Sequence, residues 1–131
     1  MNGTKTLIIF LLICFLFAFQ ALGQSQPQNV EPFDTYSYNM SWEREIFYLD
    51  DLAYYLTRYP EWVAYMAFSV GDRDTLKRVK GRAERAKKYV VNKRKIDPSR
   101  LLVVCATSLE NSRMSIWLVK RDDPPPKFSC G

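Results

Sequence analysis

The chain has no histidine and only three cysteines, and both facts argue against catalytic and metal-binding functions. Without histidine it lacks the commonest general base at neutral pH and the commonest metal ligand. Cys14, Cys105 and Cys130 stand far apart, so the ligand spacing of a zinc site is missing. No nucleophile has a recognisable base beside it, and the adjacent Asp50 and Asp51 point to different faces of a helix. We therefore predict a non-enzymatic protein without cofactor or metal.

The first 23 residues have the pattern of a secretory signal peptide. Lys5 precedes an unbroken apolar run from Leu7 to Phe19, and Ala21-Leu22-Gly23 offers a cleavage site. This run is shorter than the ~20 residues of a membrane-spanning helix, which favours cleavage after Gly23 over the alternative of an uncleaved anchor. A lipidated Cys14 is disfavoured because Ile13 is too large before a lipidated cysteine. We expect an exported protein, periplasmic or secreted, with one domain of modest size.

After export two cysteines remain, Cys105 in an apolar segment and Cys130 in a tail behind three prolines. An oxidising compartment allows cysteines to pair. A disulfide also needs Cα atoms within ~7 Å of each other, and nothing in the sequence brings the tail to that segment. We therefore favour a buried thiol and an unrelated tail thiol, with a Cys105–Cys130 bridge as the alternative.

Charge is divided along the chain. From Glu31 to Asp74 there are nine acids and three bases, whereas from Thr75 to Gly131 there are fifteen bases and five acids. An acidic half and a basic half can attract each other within one fold, and the positive excess indicates an anionic partner. Nucleic acid would suit such a surface, but the predicted export argues against it.

The basic excess is concentrated between Arg73 and Lys95, where eleven Lys or Arg stand against Asp74 and Glu84. The apolar residues of this segment recur at helical spacing: Leu76, Val79, Ala83, Ala86 and Val90. This spacing predicts one amphipathic helix with a basic outer face. That face includes Lys77, Arg78, Arg85 and Lys88. Two interpretations stay open. In the first, this face binds an anionic partner, either a polymer or, by peripheral contact, lipid headgroups. In the second, it is a solvated face that keeps the domain soluble.

The remaining pattern predicts a two-layer α/β sandwich of order (β)αβαββ, with two helices on one face of a mixed sheet of three or four strands. The domain is expected over residues 41–121, after a polar leader at 24–40 and before a proline-rich tail at 122–131. Its predicted elements are a short exposed edge strand at 33–38, a helix at 42–58, and strands at 62–70, 100–106 and 114–120. A short polar turn joins the last two strands, which predicts a hairpin. Gly81 inside the basic helix suggests close packing against the sheet.

Six aromatic residues cluster in sequence: Tyr48, Tyr54, Tyr55, Tyr59, Trp62 and Tyr65. They could form a platform for a glycan. At helical or strand spacing, aromatic residues more often pack in the core or at its border, and we favour that interpretation.

Several local patterns, taken in order, resemble the OmpA-like peptidoglycan-associated domain between Leu49 and Val119. The segment Leu49–Leu56 followed by Pro60 is similar to that family's first helix. Arg82-Ala83 followed by Tyr89-Val90 is similar to its second helix. The segment Ile96–Leu101 is similar to the turn before the next strand, with Lys95 where glycine is usual. Exported bacterial proteins of unknown role share a shortened form of this pattern.

The resemblance implies an OmpA-like fold and a place in the cell envelope, with peptidoglycan or another anionic envelope polymer as partner. In that family an aspartate after the central strand and an arginine of the second helix bind the diaminopimelate of the peptidoglycan stem. Arg82 matches the arginine, and Asp72 is nearest to the aspartate. Alternatively, Arg82 lays its stem on the sheet and Asp72 caps the basic helix. A second hypothesis is a protein-partner or self-association module that uses a sheet edge and aromatic residues.

Overall fold

The computed structural model describes residues 31–106 and 111–130, and the predicted signal peptide lies outside them. The element order is β1 (Asp34–Ser37), α1 (Trp42–Arg58), β2 (Trp62–Ser69), α2 (Leu76–Asn92), a 3-10 turn (Pro98–Arg100), β3 (Leu101–Cys105) and β4 (Arg113–Lys120). Four strands form one mixed sheet. The predicted α/β sandwich, with its order β-α-β-α-β-β, is therefore confirmed.

Helix α2 is shorter than the predicted basic helix at both ends. Thr75 caps it, because its hydroxyl accepts a hydrogen bond from the Arg78 backbone N–H at 3.3 Å. Asp72 therefore does not cap the helix. Beyond Asn92 the chain leaves helical geometry, and Lys95 has a φ of 60°, in the left-handed region that favours glycine. Glycine is usual at this position in the family that the sequence resembles, and the positive φ of Lys95 is a physical reason for that preference.

The strand order is β1-β4-β2-β3, so the predicted hairpin between β3 and β4 is wrong. Strand β4 pairs antiparallel with β2 along its whole length, with Tyr65 opposite Trp117, and also with β1. Strand β3 pairs only with β2, in parallel. Burial explains the central place of β4, because its Met114 and Ile116 are fully buried, whereas Leu102 of β3 is 39% exposed at the edge.

The hydrophobic core lies between the two helices and one face of the sheet. In α1 and α2 the buried residues recur at helical spacing. In β4 the buried Met114 and Ile116 alternate with partly exposed residues, whereas β2 is buried continuously from Met66 to Ser69, as expected of a central strand covered on both faces. The largest fully buried apolar side chains are Leu49, Leu52, Leu56, Met66, Val79, Val90, Leu101, Met114 and Ile116. Full burial of one such side chain contributes about 1.5–3 kcal/mol, so this layer dominates the stability of the fold.

Two glycines differ in why they are tolerated. Gly81 is exposed on α2, and a Cβ placed there meets nothing within 4 Å. The close packing expected at Gly81 is therefore absent. At Gly71 a Cβ would lie 2.6 Å from the backbone nitrogen of Ser112. Only glycine allows the loop after β2 to approach the segment before β4 so closely.

The fold extends past both ends of the predicted 41–121 domain. Strand β1 is an edge strand, as predicted, but its Tyr36 faces the core and is buried. The C-terminal tail returns across the sheet face that the helices leave open, which we call the open face. Phe128 packs there against Tyr65 and Trp117, with ring centroids 5.8 and 6.3 Å apart.

Cys105 and Cys130 form a disulfide, with Cα atoms 5.2 Å apart, so the prediction of two separate thiols is wrong. The route of the tail explains the pairing. Strand β4 ends beside the start of β2, where the Arg121 N–H donates to the Glu61 carbonyl. Cys105 lies at the opposite end of the sheet, about 26 Å away along an eight-residue strand. Nine extended residues, 122–130, span up to about 30 Å, which is enough.

Candidate functional site

Arg82, the residue that the resemblance assigns to a ligand, is occupied within the chain. Its guanidinium donates hydrogen bonds to the carbonyl oxygens of Tyr38 and Met40 and to Glu45 Oε2, the last at 3.0 Å. Its Cζ also lies 4.4 Å from the centroid of the Tyr38 ring. These bonds use three of the five guanidinium N–H groups. Arg82 thereby ties the connection between β1 and α1 to the middle of α2.

Glu45 completes this cluster from the first turn of α1. It is only 1% exposed and accepts hydrogen bonds from the Tyr36 hydroxyl at 2.8 Å and from Arg82. Burial, and secondarily the charge of Glu45, raise the pKa of Tyr36 and of Tyr38 well above the usual range. Tyr36 therefore stays a neutral donor, while the buried Tyr38 hydroxyl has no hydrogen-bond partner among the described residues.

Glu45 was not among the predicted site residues, although the sequence contains a signal for it. Glu45 lies one turn before Leu49, on the same face as Leu52 and Leu56, all of which are buried. An acid at an apolar position of an amphipathic helix requires a buried partner, since an unpaired buried charge is costly. The arginine of α2 that borders its apolar face is the natural partner.

Asp72 does not join Arg82. It is exposed in the turn before α2 and makes no hydrogen bond or ion pair with a residue that the structure describes. The engaged acid of this turn is Asp74, which accepts from the Arg78 guanidinium and from the Ser112 hydroxyl, the latter at 2.8 Å. Hydrogen bonding from Arg78 holds the pKa of the Asp74 carboxyl well below its usual range. The structure thus gives Arg82 and Asp72 separate surroundings.

All three arginines of α2 face partners within the fold, and we call this side the arginine flank (Arg78, Arg82 and Arg85). Arg78 pairs with Asp74, and Arg82 with Glu45. The Cζ of Arg85 lies 3.8 Å from the centroid of the Trp42 ring. Planar guanidinium groups suit such stacked or forked contacts better than ammonium groups do.

The four lysines of α2 form the opposite kind of surface, which we call the lysine face (Lys77, Lys80, Lys87 and Lys88). Their spacing puts them on one side of the helix. None of them makes a hydrogen bond or ion pair with any residue in 31–106 or 111–130, and three of the four are exposed. Glu84 stands among them as the only acid of α2.

The structure therefore divides the four cations that sequence analysis placed on one anion-binding surface. Lys77 and Lys88 belong to the lysine face, while Arg78 and Arg85 belong to the arginine flank. Lys80 and Lys87 were missed as members of the free surface. Helical periodicity alone would have found them, since they lie three and ten residues after Lys77.

The aromatic cluster of the sequence is also divided. Tyr55 packs against Phe33, Tyr59 and Trp62, with ring centroids 5.3, 4.6 and 6.3 Å away. Tyr48 packs on Tyr36. Tyr65 lies across the sheet, on the open face under Phe128. Tyr54 is different, because it is 68% exposed on the outer side of α1, one heptad after Phe47, which is 70% exposed.

Two further groups of hydrogen bonds between distant segments were not predicted, and an arginine donates in each. The Arg94 guanidinium donates two hydrogen bonds to Asp50, at 2.7 and 2.6 Å, and the Tyr89 hydroxyl donates a third at 2.8 Å. The bond from Arg94 lowers the pKa of the Asp50 carboxyl. Arg100 donates to the carbonyl oxygens of Leu56, Tyr59 and Trp62. It thus satisfies acceptors at the end of α1.

No protein-family model matches the chain, and no curated protein matches it either. Neither α1 nor α2, the helices within the described ranges 31–106 and 111–130, is long and apolar enough to cross a membrane. Over the same ranges, no three acidic or cysteine side chains are grouped so that they could hold a metal ion.

Proposed function

We propose that the protein is an exported, non-enzymatic module of the cell envelope that binds an anionic polymer through the lysine face of α2. One observation carries this proposal. Every arginine of α2 has a partner inside the fold, whereas none of its lysines has one among the described residues. Within α2, the cations that have no partner among the described residues are therefore the lysines.

The lysine face suits a repeating anion better than a single small ligand. From Lys77 to Lys88 the helix rises about 16 Å, so the four ammonium groups form a row rather than a pocket. An ammonium on a flexible stem tolerates variable positions of its partner. Binding of this kind is mainly electrostatic, and it weakens as salt screens the charges.

The predicted export and the OmpA-like resemblance favour an envelope polymer, with peptidoglycan as the first candidate. The resemblance assigns ligand contact to Arg82 and Asp72. Because Arg82 already donates to Glu45 and to two carbonyl oxygens, a ligand carboxylate would have to compete with these acceptors. We therefore give Arg82 a role in the fold and assign the polymer contact to the lysines.

The test is cosedimentation of the protein with purified peptidoglycan and, separately, binding to polyglutamate as a plain anionic polymer. We compare Lys77→Gln/Lys88→Gln with the matched pair Arg121→Gln/Lys127→Gln, which removes two exposed cations elsewhere. At about 1 kcal/mol per cation near an anionic surface, the first pair should weaken binding about thirty-fold. The second pair should change it little.

Equal weakening by the two pairs would mean that only net charge matters, and absence of binding to both polymers would refute the proposal. Binding to peptidoglycan alone would indicate recognition beyond charge. Polyglutamate offers only carboxylates, so charge alone would not explain such a result. Arg82 would then again be a candidate for ligand contact, as the resemblance implies.

A second function is favoured by the exposed aromatics of α1. Phe47 and Tyr54 stand one heptad apart, and a shallow groove beside Phe47 is lined by Arg44, Tyr48 and Asp51. Such a surface suits a protein partner or a second copy of the chain. Phe47→Ser/Tyr54→Ser should lower self-association in analytical ultracentrifugation and leave polymer binding intact. No self-association in the unmodified protein would exclude the second copy as that partner.

A further inference from the structure

The C-terminal tail crosses the open face of the sheet as a strap, here residues 124–130. Phe128 packs on Tyr65 and Trp117. A groove between strap and sheet is lined on one side by Pro126 and Phe128 and on the other by Ala67 and Trp117. The strap thus covers aromatic surface that would otherwise face solvent.

Very little besides the disulfide holds the strap in place. The last backbone hydrogen bonds of the tail are donated by Arg121 and Asp123, both before Pro124. Within the described residues, none from Pro124 to Ser129 makes a hydrogen bond. Three consecutive prolines have no N–H to donate. The strap is therefore anchored by one aromatic ring and by the bond from Cys130 to Cys105.

The two sulfurs differ in their accessibility. Cys130 is exposed at the end of the strap, whereas Cys105 is half-buried at the end of β3. Thiol–disulfide exchange requires a thiolate to reach one sulfur of the bridge. An incoming thiolate can approach Cys130 from solvent without displacing the sheet.

We propose that the Cys105–Cys130 disulfide is a redox-controlled clasp, whose reduction in the folded protein releases the strap and uncovers Tyr65 and Trp117. The reductant is a dithiol. Its first thiolate attacks Cys130 Sγ, forms a mixed disulfide and releases Cys105 as a thiolate, which takes up a proton. Its second thiol then closes a disulfide within the reductant and releases Cys130 as the second thiol. Two electrons and two protons pass to the protein, and the dithiol is oxidised.

The sheet does not depend on the clasp. Strands β2 and β4 pair along their whole length. Their large core side chains, Met66, Phe68, Met114 and Ile116, belong to the cluster that packs with the helices, and none of them lines the groove under the strap. Release therefore changes the open face while the core stays packed. Local opening of this kind is expected of segments with few buried contacts and few backbone hydrogen bonds.

Lys127 provides a direct readout, because it is an exposed trypsin site inside the strap. We measure by mass spectrometry how fast trypsin cuts after Lys127 in the full-length protein, with and without dithiothreitol. Amide exchange of β2 is followed in parallel. Reduction should accelerate the cut about ten-fold or more, since cleavage tracks the population of the open form. Exchange in β2 should not change.

Cys130→Ser is the matched variant, and it should be cut at the fast rate under both conditions. The proposal is overturned if the reduced protein and Cys130→Ser are cut as slowly as the oxidised protein, because Phe128 alone would then hold the strap. It is equally overturned if amide exchange in β2 rises together with cleavage. Resistance of the bridge to dithiothreitol in the absence of denaturant would also exclude a clasp that operates in the folded state.

Discussion

The two sides of α2 carry the same sign of charge and serve different purposes. On the arginine flank each guanidinium lies against a partner: Arg82 against Glu45 and Arg85 against Trp42, both from α1, and Arg78 against Asp74 in the turn just before the helix. On the lysine face no such partner exists in the described part of the chain. A strongly basic helix is therefore not one uniform anion-binding surface. About half of its cations hold the fold together, and the other half remain available.

The choice between arginine and lysine follows from their chemistry. A guanidinium presents its donors in a rigid fork and is weakly hydrated, so it can be brought into a partly buried site beside Glu45 and two carbonyl oxygens. An ammonium group is strongly hydrated and favours solvent. In α2 the arginines accordingly lie against partners and the lysines do not.

Loss of Arg82, at the centre of the arginine flank, should destabilise the fold more than any other single change proposed here. Arg82→Ala leaves the buried Glu45 carboxylate without its counter-charge, and loss of one partner of a buried pair typically costs about 3–5 kcal/mol. Lys80→Ala, on the other side of the same helix, should change the free energy of unfolding by less than about 0.5 kcal/mol. Urea denaturation of both variants measures the difference.

Equal and small effects of these two variants would contradict the distinction between the arginine flank and the lysine face. Arg82→Lys sharpens the test, because it keeps the charge and removes the fork. We expect it to recover only part of the lost stability, since one ammonium group cannot reproduce both the contact with Glu45 and the hydrogen bonds to two carbonyls.

Local patterns in the sequence predict the elements of this fold better than their arrangement. Helical and strand periodicity located both helices and every strand, because these signals depend on neighbouring residues. The central position of β4 depends on pairing with β1 and β2, at a distance along the chain that periodicity does not report. The disulfide was missed for the same reason, since the path of the tail follows from that strand order.

At the candidate site the sequence predicted a basic surface on α2. It did not predict that the arginines would have partners within the fold and the lysines would not. Two partners of the arginine flank, Glu45 and Trp42, are set by how α1 packs on α2, whereas Asp74 lies only four residues before Arg78. Glu45 illustrates this, because its burial is visible in the spacing of α1 but its pairing with Arg82 is not.

The next effect concerns the outer end of the arginine flank and is a dependence on pH. Arg78 lowers the pKa of Asp74 in the folded protein, so the native state favours the ionised carboxyl. The resulting stability is present above the unfolded pKa of about 3.9 and is lost as pH falls through the folded pKa. Because Arg78 is 57% exposed, we expect a contribution of about 1 kcal/mol at most.

Asp74→Asn removes this titration and should make unfolding less sensitive to acid below about pH 4. Thermal unfolding of both proteins between neutral pH and about pH 2 measures the effect. Parallel curves for the two proteins would contradict the pairing. Asp72→Asn is the control, because Asp72 is exposed two residues earlier and has no ion pair with a described residue.

A smaller and opposite effect is expected at Gly81, which is exposed between the two sides of α2. Since a Cβ there meets nothing within 4 Å, Gly81→Ala should stabilise the helix by about 0.5–1 kcal/mol. Urea denaturation tests the gain, and polymer binding by the lysine face should stay unchanged. A loss of stability would mean that Gly81 serves a contact absent from the described fold.

An effect of about the same size is expected at Arg85, the member of the arginine flank that has no acidic partner within hydrogen-bond distance in the described chain. Its Cζ lies 3.8 Å from the Trp42 ring centroid, and an exposed cation–π contact contributes about 0.5–1 kcal/mol. A double-mutant cycle with Arg85→Gln and Trp42→Leu isolates this term. If the coupling is near zero, Arg85 is free for a partner and belongs functionally with the lysines. A coupling of the expected size means that Arg85→Gln costs stability while polymer binding changes less than it does in Lys88→Gln.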